Sequence, residues 1–154
     1  MKNQISPEAI RRIRRASKVL IRKIAADSKN SLEKFLMQQN LIQYHLAELI
    51  ILRAKSLDKD LFNWIENKTL GTLIKIYRIC AVPENDELAL AGLLKQYNQK
   101  RNYLVHKIVK DSNYTELEER AEAANKEGMR IIEILDKLVE KKKISDAIMH
   151  KLTN

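Results

Sequence analysis

The sequence predicts an all-α protein, a helical bundle of four to five long helices plus short helices. Only three glycines and two prolines occur among 154 residues, which leaves few of the turn residues that hairpins require. Good helix formers such as Leu, Lys, Glu and Ala are abundant, and 45% of the residues are apolar, enough for a hydrophobic core. The length is typical of one domain, so we expect a single helical domain over residues 1–154.

The amino-terminal segment is strongly basic. Ser6 and Pro7 predict the start of a helix that runs to about Ala26. Residues 1–25 contain eight Lys or Arg against one acid, so they carry +7 of the chain's net charge of +9. This asymmetry predicts a polyanionic partner, either nucleic acid or an anionic membrane surface.

The predicted first helix has an apolar face and a basic face, and the basic face is the candidate RNA contact. Lys and Arg bind phosphates with release of counterions. The residues expected to contact RNA are Arg11, Arg15, Lys18 and Arg22. A basic face that is only solvated is the alternative. Membrane binding is less favoured, because the apolar face has no Trp or Phe.

Two further helices are predicted in the middle of the chain. One runs from about Ser31 to Lys55 with apolar residues on two faces, and Glu48 within the second of these would need a cationic partner. Thr69 is expected to cap the next, which ends near Cys80. Because this helix is apolar almost all round, we expect it to be central, with Cys80 in the core.

The break at residues 82–86 precedes a helix predicted from about Glu87 to Lys110. Thr115 and Glu118 form a capping box that predicts the start of another helix. Its apolar and small residues repeat in a four-three pattern at positions 117, 121, 124, 128, 131, 135 and 138. A separate short helix from about Ile144 to Leu152 is expected to end the chain.

The helix that ends near Lys110 contains the candidate site. Arg101 lies in the middle of its apolar stripe, where an unpartnered charge would cost several kcal/mol, so it needs a partner such as Glu48 or a second copy of the chain. The stripe consists of Leu90, Leu94, Tyr97, Leu104 and Ile108, and a polar row beside it consists of Asn98, Asn102 and His106. A guanidinium, an amide and an imidazole suit the binding of a phosphate and proton transfer near neutral pH.

The stretch Arg-Asn-Tyr-Leu-Val-His, residues 101–106, resembles the signature of the HEPN superfamily (higher eukaryotes and prokaryotes nucleotide-binding domain). That signature is an Arg, a polar residue that is commonly Asn, Asp or His, and a His after four to six intervening residues. Arg101, Asn102 and His106 match it position by position. The resemblance extends to the context, an all-helical domain with the motif toward the end of its fourth long helix and a further helix after it.

The resemblance implies a metal-independent endoribonuclease, typically a homodimer whose two motifs form one composite cleft. Arg101 would neutralise the scissile phosphate, and Asn102 would position the phosphate or the imidazole. His106 would act as general base or acid on the ribose 2′-hydroxyl, giving a 2′,3′-cyclic phosphate. No cofactor or metal is expected, since no carboxylate or Cys/His cluster stands at metal-ligand spacing. A dimer interface would also explain an arginine in an apolar stripe.

The leading hypothesis is therefore an RNA-cleaving protein of the toxin or phage-defence type, with an antitoxin protein as a possible partner. Some family members carry, two residues after the His, a Tyr that a nucleotidyltransferase antitoxin modifies. Here Lys107 and Ile108 follow His106, so that scheme is not implied. The alternatives are a catalytically inactive HEPN-like module that binds nucleic acid or nucleotide or dimerises, and a helical protein–protein adaptor.

The apolar segments of the chain bear on where the protein is located. The amino terminus has no apolar run like that of a signal peptide, and no apolar segment is long enough to span a bilayer. We therefore expect a soluble cytoplasmic protein that does not enter a membrane.

His45 and His150 have no matching partners in the sequence, so we expect them to be structural or exposed.

Overall fold

The computed structural model describes residues 29–54, 64–65, 67–80, 85–110 and 113–153, together with Val19. Within these ranges there are four long helices and no strand, which confirms the all-α class. The helices are α1 (Ser31–Arg53), α2 (Leu70–Cys80), α3 (Asn85–Lys110) and α4 (Tyr114–Thr153). The predicted basic helix, with Arg11, Arg15, Lys18 and Arg22, lies outside the described residues.

The four helices form a bundle around one hydrophobic core. α1 packs along α4, α4 against α3, α3 against α2, and α2 against α1. Side chains of α1 and α3 also meet across the core, where the rings of Phe35 and Tyr97 lie 5.6 Å apart between centroids. The core includes Leu46 of α1, Tyr77 of α2 and Ile131 of α4, all fully buried. Burial of such apolar faces is the main force that holds the helices together.

The four-three repeat in α4 is confirmed, but the helix is longer than expected. Six of its seven repeat positions are buried, namely Leu117, Ala121, Ala124, Gly128, Ile131 and Leu135, and the seventh, Leu138, is partly buried. α4 then continues without interruption to Thr153, over 40 residues, so the prediction of a separate short helix at 144–152 was wrong. No glycine or proline occurs between residues 139 and 153, so nothing in that segment breaks the helix.

Helix α2 lies at the side of the bundle, so the expectation of a central helix was wrong. Its buried residues are Leu70, Leu73, Ile74 and Tyr77, which share one face. Ile79, on the other side, is 85% exposed. Among the helices that the structure describes, α2 contacts α1 and α3 through its buried face. The side chain of Cys80 is not among those described.

Helix α1 buries mainly one of its two predicted apolar stripes. In the second stripe Leu41 is buried, whereas Tyr44 is exposed. Glu48 does have the cationic partner that was expected, because its carboxylate lies 2.8 Å from Nζ of Lys143 on α4.

The ends of the helices are capped by side chains. Thr69 caps α2 as predicted, with its hydroxyl accepting from the backbone N–H of Thr72 at 3.4 Å. At the start of α4, the side-chain oxygen of Asn113 accepts from the N–H of Glu116 at 3.3 Å, so Asn113 is the cap and the predicted Thr115–Glu118 capping box was wrong.

The carboxylate of Glu118 instead caps a different helix. Its two oxygens accept hydrogen bonds from the backbone N–H groups of Ser31 at 3.1 Å and Leu32 at 3.2 Å. These are among the first N–H groups of α1, which have no partner within their own helix. Glu118 therefore joins the start of α1 to the start of α4.

Candidate functional site

The buried face of α3 determines where the motif residues point. Leu94, Tyr97 and Leu104 are almost completely buried and face the core. Successive residues of a helix are rotated by about 100°, so Arg101 shares this face, whereas Asn102 and His106 are turned away from it. Accordingly, Arg101 is half-buried and the other two side chains are exposed. Ile108, which was predicted to extend the buried stripe, is 43% exposed near the end of the helix.

The guanidinium of Arg101 is held by two amide side chains. Its Nε donates to Oε1 of Gln39 on α1 at 3.2 Å, and its Nη1 donates to Oδ1 of Asn102 at 2.9 Å. Within the described ranges, Arg101 forms no ion pair with a carboxylate, so the alternative of a structural pair with Glu48 was wrong. Amide oxygens satisfy the N–H groups but do not cancel the charge. Within the described ranges the charge of Arg101 therefore has no counter-charge in direct contact.

The positive charge of Arg101 also acts on its buried neighbour Tyr97. Burial raises the pKa of the Tyr97 hydroxyl, and the Arg101 charge acts in the opposite direction. The hydroxyl oxygen has no hydrogen-bond partner in the described structure. The charge of Arg101 is therefore close enough to the buried Tyr97 ring to affect its hydroxyl.

His106 lies one helical turn after Asn102 on the exposed side of α3. Among the described residues it forms no hydrogen bond, so its imidazole is open to solvent and to a ligand. Asn98, in contrast, does not join this group. It is half-buried against α2, with its Nδ2 3.4 Å from where a side chain would begin on Gly71. The structure therefore brings Arg101 into direct contact with Asn102, places His106 beside them, and separates Asn98 from the site.

Arg101 has hydrogen-bond partners within its own chain, which removes one reason to expect a dimer. An unpartnered arginine in an apolar stripe was a reason to expect a second copy of the chain. Gln39 supplies a partner from within the same chain, so the position of Arg101 no longer requires one. The expectation of a homodimer therefore no longer rests on the position of Arg101.

A groove that the sequence analysis did not identify lies next to the motif, between α3 and α4. It has a volume of about 380 Å³ and is lined by Gln99, Lys100, Tyr103, Leu104, Arg120 and Ala123. The guanidinium carbon of Arg120 lies 4.5 Å from the centre of the Tyr103 ring, and Nζ of Lys107 lies 5.8 Å from it. The spacing of Lys100, Tyr103 and Lys107 along one face of α3 was a signal in the sequence, but the contribution of α4 was not visible there.

The other two histidines are placed as expected. His45 is 2% exposed, and its Nε2 lies 3.3 Å from Oδ1 of Asp136, whereas His150 is exposed near the end of α4. In the ranges that the structure covers, no three His, Cys, Asp or Glu side chains are close enough together to hold a metal ion. Within the same ranges, no helix has the length and apolar character needed to cross a membrane.

Comparison with known proteins adds no family. No family model, no curated protein and no solved structure matches this chain. The resemblance to the HEPN superfamily rests on the motif and its helical context.

Proposed function

We propose that this protein is a metal-independent endoribonuclease in which Arg101, Asn102 and His106 act on RNA. The observation that carries the proposal is the uncompensated charge of Arg101. Among the described residues, this half-buried guanidinium is held in place by two neutral amides and pairs with no carboxylate, and an exposed imidazole lies on the same helix. A fixed cation beside an imidazole, which can accept and donate a proton, suits the cleavage of a phosphodiester.

In the proposed reaction, the ribose 2′-oxygen attacks the adjacent phosphorus and displaces the 5′-oxygen of the next nucleotide. His106 removes the proton from the 2′-hydroxyl as the new P–O bond forms. Arg101 stabilises the negative charge that develops on the phosphoryl oxygens, and Asn102 keeps the guanidinium in place. The products are a 2′,3′-cyclic phosphate and a 5′-hydroxyl.

The leaving 5′-oxygen must also receive a proton, and one imidazole does not supply it while acting as the base. A second copy of the chain would provide a second His106 as general acid, so the proposed active form is a homodimer with a composite cleft. A protein that cleaves RNA while remaining strictly monomeric at micromolar concentration would contradict this part of the proposal.

The basic amino-terminal segment is proposed to bind the RNA backbone. Arg11, Arg15, Lys18 and Arg22 carry enough charge to make affinity fall steeply as salt rises. In the cell, the protein would act on cytoplasmic RNA as a toxin or phage-defence nuclease, and an antitoxin protein would restrain it. Induced expression should then arrest growth for wild type but not for His106→Ala.

The direct test is incubation of the purified protein with structured RNA in EDTA. We expect cleavage by wild type and a loss of at least about 100-fold in rate for His106→Ala and for Arg101→Ala, as is typical when a general base or a charge-stabilising group is removed. His150→Ala and Arg130→Ala are matched controls, since both residues are exposed and lie on α4 rather than on the helix that carries the motif. Both controls should cleave as wild type does.

Three results would contradict the proposal. Equal cleavage by wild type and both motif variants would indicate a contaminating nuclease. Cleavage that requires a divalent cation would contradict the metal-independent mechanism. RNA binding without cleavage would identify the catalytically inactive binding module.

A further inference from the structure

Tyr103 and the basic residues around it form a second candidate site, one turn away from His106. The groove between α3 and α4 is lined by the buried Leu104 and by the small side chain of Ala123. Tyr103 is 38% exposed at the side of this space, with the Arg120 guanidinium over its ring. The volume of about 380 Å³ is at the lower end of the range for small-ligand pockets, roughly 300–1,000 Å³.

The charges of the groove favour an anionic ligand. Lys100 is paired with Glu127 of α4, and Arg120 is paired with Glu116 at 2.8 Å, one turn earlier on the same helix. The Arg120–Glu116 pair is exposed to solvent, where such pairs contribute little stability, so a phosphate could replace Glu116 at small cost. Lys100 is itself 45% exposed, although Glu127 is half-buried. Lys107 adds a third cation near the ring of Tyr103.

An aromatic ring with a guanidinium over it favours a planar ligand as well. Nucleobases stack on tyrosine rings and on arginine guanidinium planes, and this type of contact requires bases that are not paired in a duplex. A phosphate alone or an acidic peptide would use the cations but would gain nothing from the ring. The combination of ring, guanidinium and lysines therefore favours a nucleotide within a single strand.

We propose that this groove binds one nucleotide of single-stranded RNA, with its base stacked on Tyr103 and Arg120 and its phosphate held by Lys100 or Lys107. Tyr103 precedes His106 by three residues, so both side chains lie on the solvent-facing side of α3 within about one turn. The strand would cross α3 from Arg101 past His106 and enter the groove. The inference rests on the proposed function, because it assigns a position to a nucleotide next to the one that is cleaved.

The test measures binding separately from cleavage. The probe is a fluorescently labelled 2′-O-methyl oligouridine of ten nucleotides, which His106 cannot cleave because its 2′-hydroxyls are blocked. Anisotropy with the full chain gives Kd. We expect Tyr103→Leu and Arg120→Gln each to raise Kd about ten-fold and Tyr103→Phe, which keeps the ring, to leave it within about two-fold.

Matched controls are present in the same chain. Tyr44 is 37% exposed on α1, so Tyr44→Leu removes an equally exposed tyrosine away from the groove. Arg130→Gln removes one exposed charge from α4, ten residues after Arg120. Both controls should leave Kd unchanged, and thermal unfolding of every variant shows whether it is folded.

Several outcomes would overturn the inference. One is an unchanged Kd in folded Tyr103→Leu and Arg120→Gln. Another is equal affinity for a duplex of the same length, because paired bases cannot stack on Tyr103. Binding of polyglutamate that equals binding of the oligouridine would indicate an acidic protein partner instead. If Kd depends on Tyr103 but ordinary RNA is not cleaved, the proposed function is contradicted and the groove remains a binding site. If RNA is cleaved but Kd does not depend on Tyr103, the proposed function is supported and the binding site is contradicted.

Discussion

Arg101 on α3 donates a hydrogen bond from Nε to the amide oxygen of Gln39 on α1, at 3.2 Å. This contact crosses the bundle between two helices that are not neighbours around the ring of four. It orients the guanidinium without cancelling its charge, because the acceptor is neutral. Gln39 is thus a positioning residue, and it offers a direct way to test whether the free charge of Arg101 matters.

Replacing Gln39 by glutamate should reduce RNA cleavage without unfolding the protein. The carboxylate has nearly the same shape as the amide but would form an ion pair with Arg101, which would then compete with the phosphate. We expect the cleavage rate to fall about ten-fold or more. Gln39→Met, which adds no charge, should have a smaller effect. Asn40→Asp adds the same charge on the exposed side of α1 and serves as the control. Full activity in Gln39→Glu would show that the charge of Arg101 is not used.

Glu118 should stabilise the bundle at neutral pH but not in acid. Burial acts to raise the pKa of the Glu118 carboxyl, but hydrogen bonds from the N–H groups of Leu32 and Ser31 outweigh it and hold the pKa below the ordinary value of 4.5. A lowered pKa in the folded state means that the stabilisation is present above pH 4.5 and is lost as the pH falls through the lowered pKa.

The corresponding measurement is urea unfolding of wild type and Glu118→Gln at pH 7 and pH 3. At pH 7 the variant should be less stable by about 1 kcal/mol, the usual effect of losing a helix cap. At pH 3 the difference should be smaller, because the wild-type carboxyl is increasingly protonated as well. Glu119→Gln, at the exposed neighbouring position, is the control. An equal difference at both pH values would argue against the charged cap.

The ion pair between Arg53 and Glu87 should make a larger contribution. It joins the end of α1 to the start of α3, and the two side chains are only 16% and 7% exposed. Because Glu87→Gln leaves the Arg53 charge buried without a counter-charge, we expect a loss of about 3 kcal/mol in the free energy of unfolding. Glu122→Gln breaks an exposed pair with Lys126, whose atoms are 3.9 Å apart, and should cost less than about 0.5 kcal/mol. Similar losses of unfolding free energy in Glu87→Gln and Glu122→Gln would contradict the burial of the Arg53–Glu87 pair.

Two glycines in helices should respond in opposite ways to alanine. A Cβ on Gly128 would lie 2.4 Å from the side-chain oxygen of Gln38 and 3.1 Å from the ring of Tyr97, both buried. We therefore expect Gly128→Ala to lower the free energy of unfolding by about 1 kcal/mol or more. A Cβ on Gly92 would have no atom within 4 Å, so Gly92→Ala should raise it by about 0.5–1 kcal/mol through helix propensity alone. Calorimetric Tm values of the two variants provide the comparison.

Local patterns in the sequence predicted much of the fold. The spacing of Leu117, Ala121 and Leu135 identified the buried face of α4, and Thr69 identified the start of α2, because helical periodicity and capping depend on residues close together in the chain. The same periodicity placed Arg101 on the buried side of α3 and Asn102 and His106 beside it. These residues were also found by the motif, which is itself a local pattern.

The sequence by itself thus determined which residues of α3 form the candidate site and that Arg101 needed a partner. Only the tertiary structure decided that the partner is Gln39, 62 residues earlier, and that Arg120 completes a groove at Tyr103. It also decided that Glu118 caps α1 rather than its own helix. The physical reason is that periodicity reports which face of a helix is apolar. Which polar side chain accepts a hydrogen bond from a given donor depends on how the helices pack, because the chain contains several acceptors of the same chemical type.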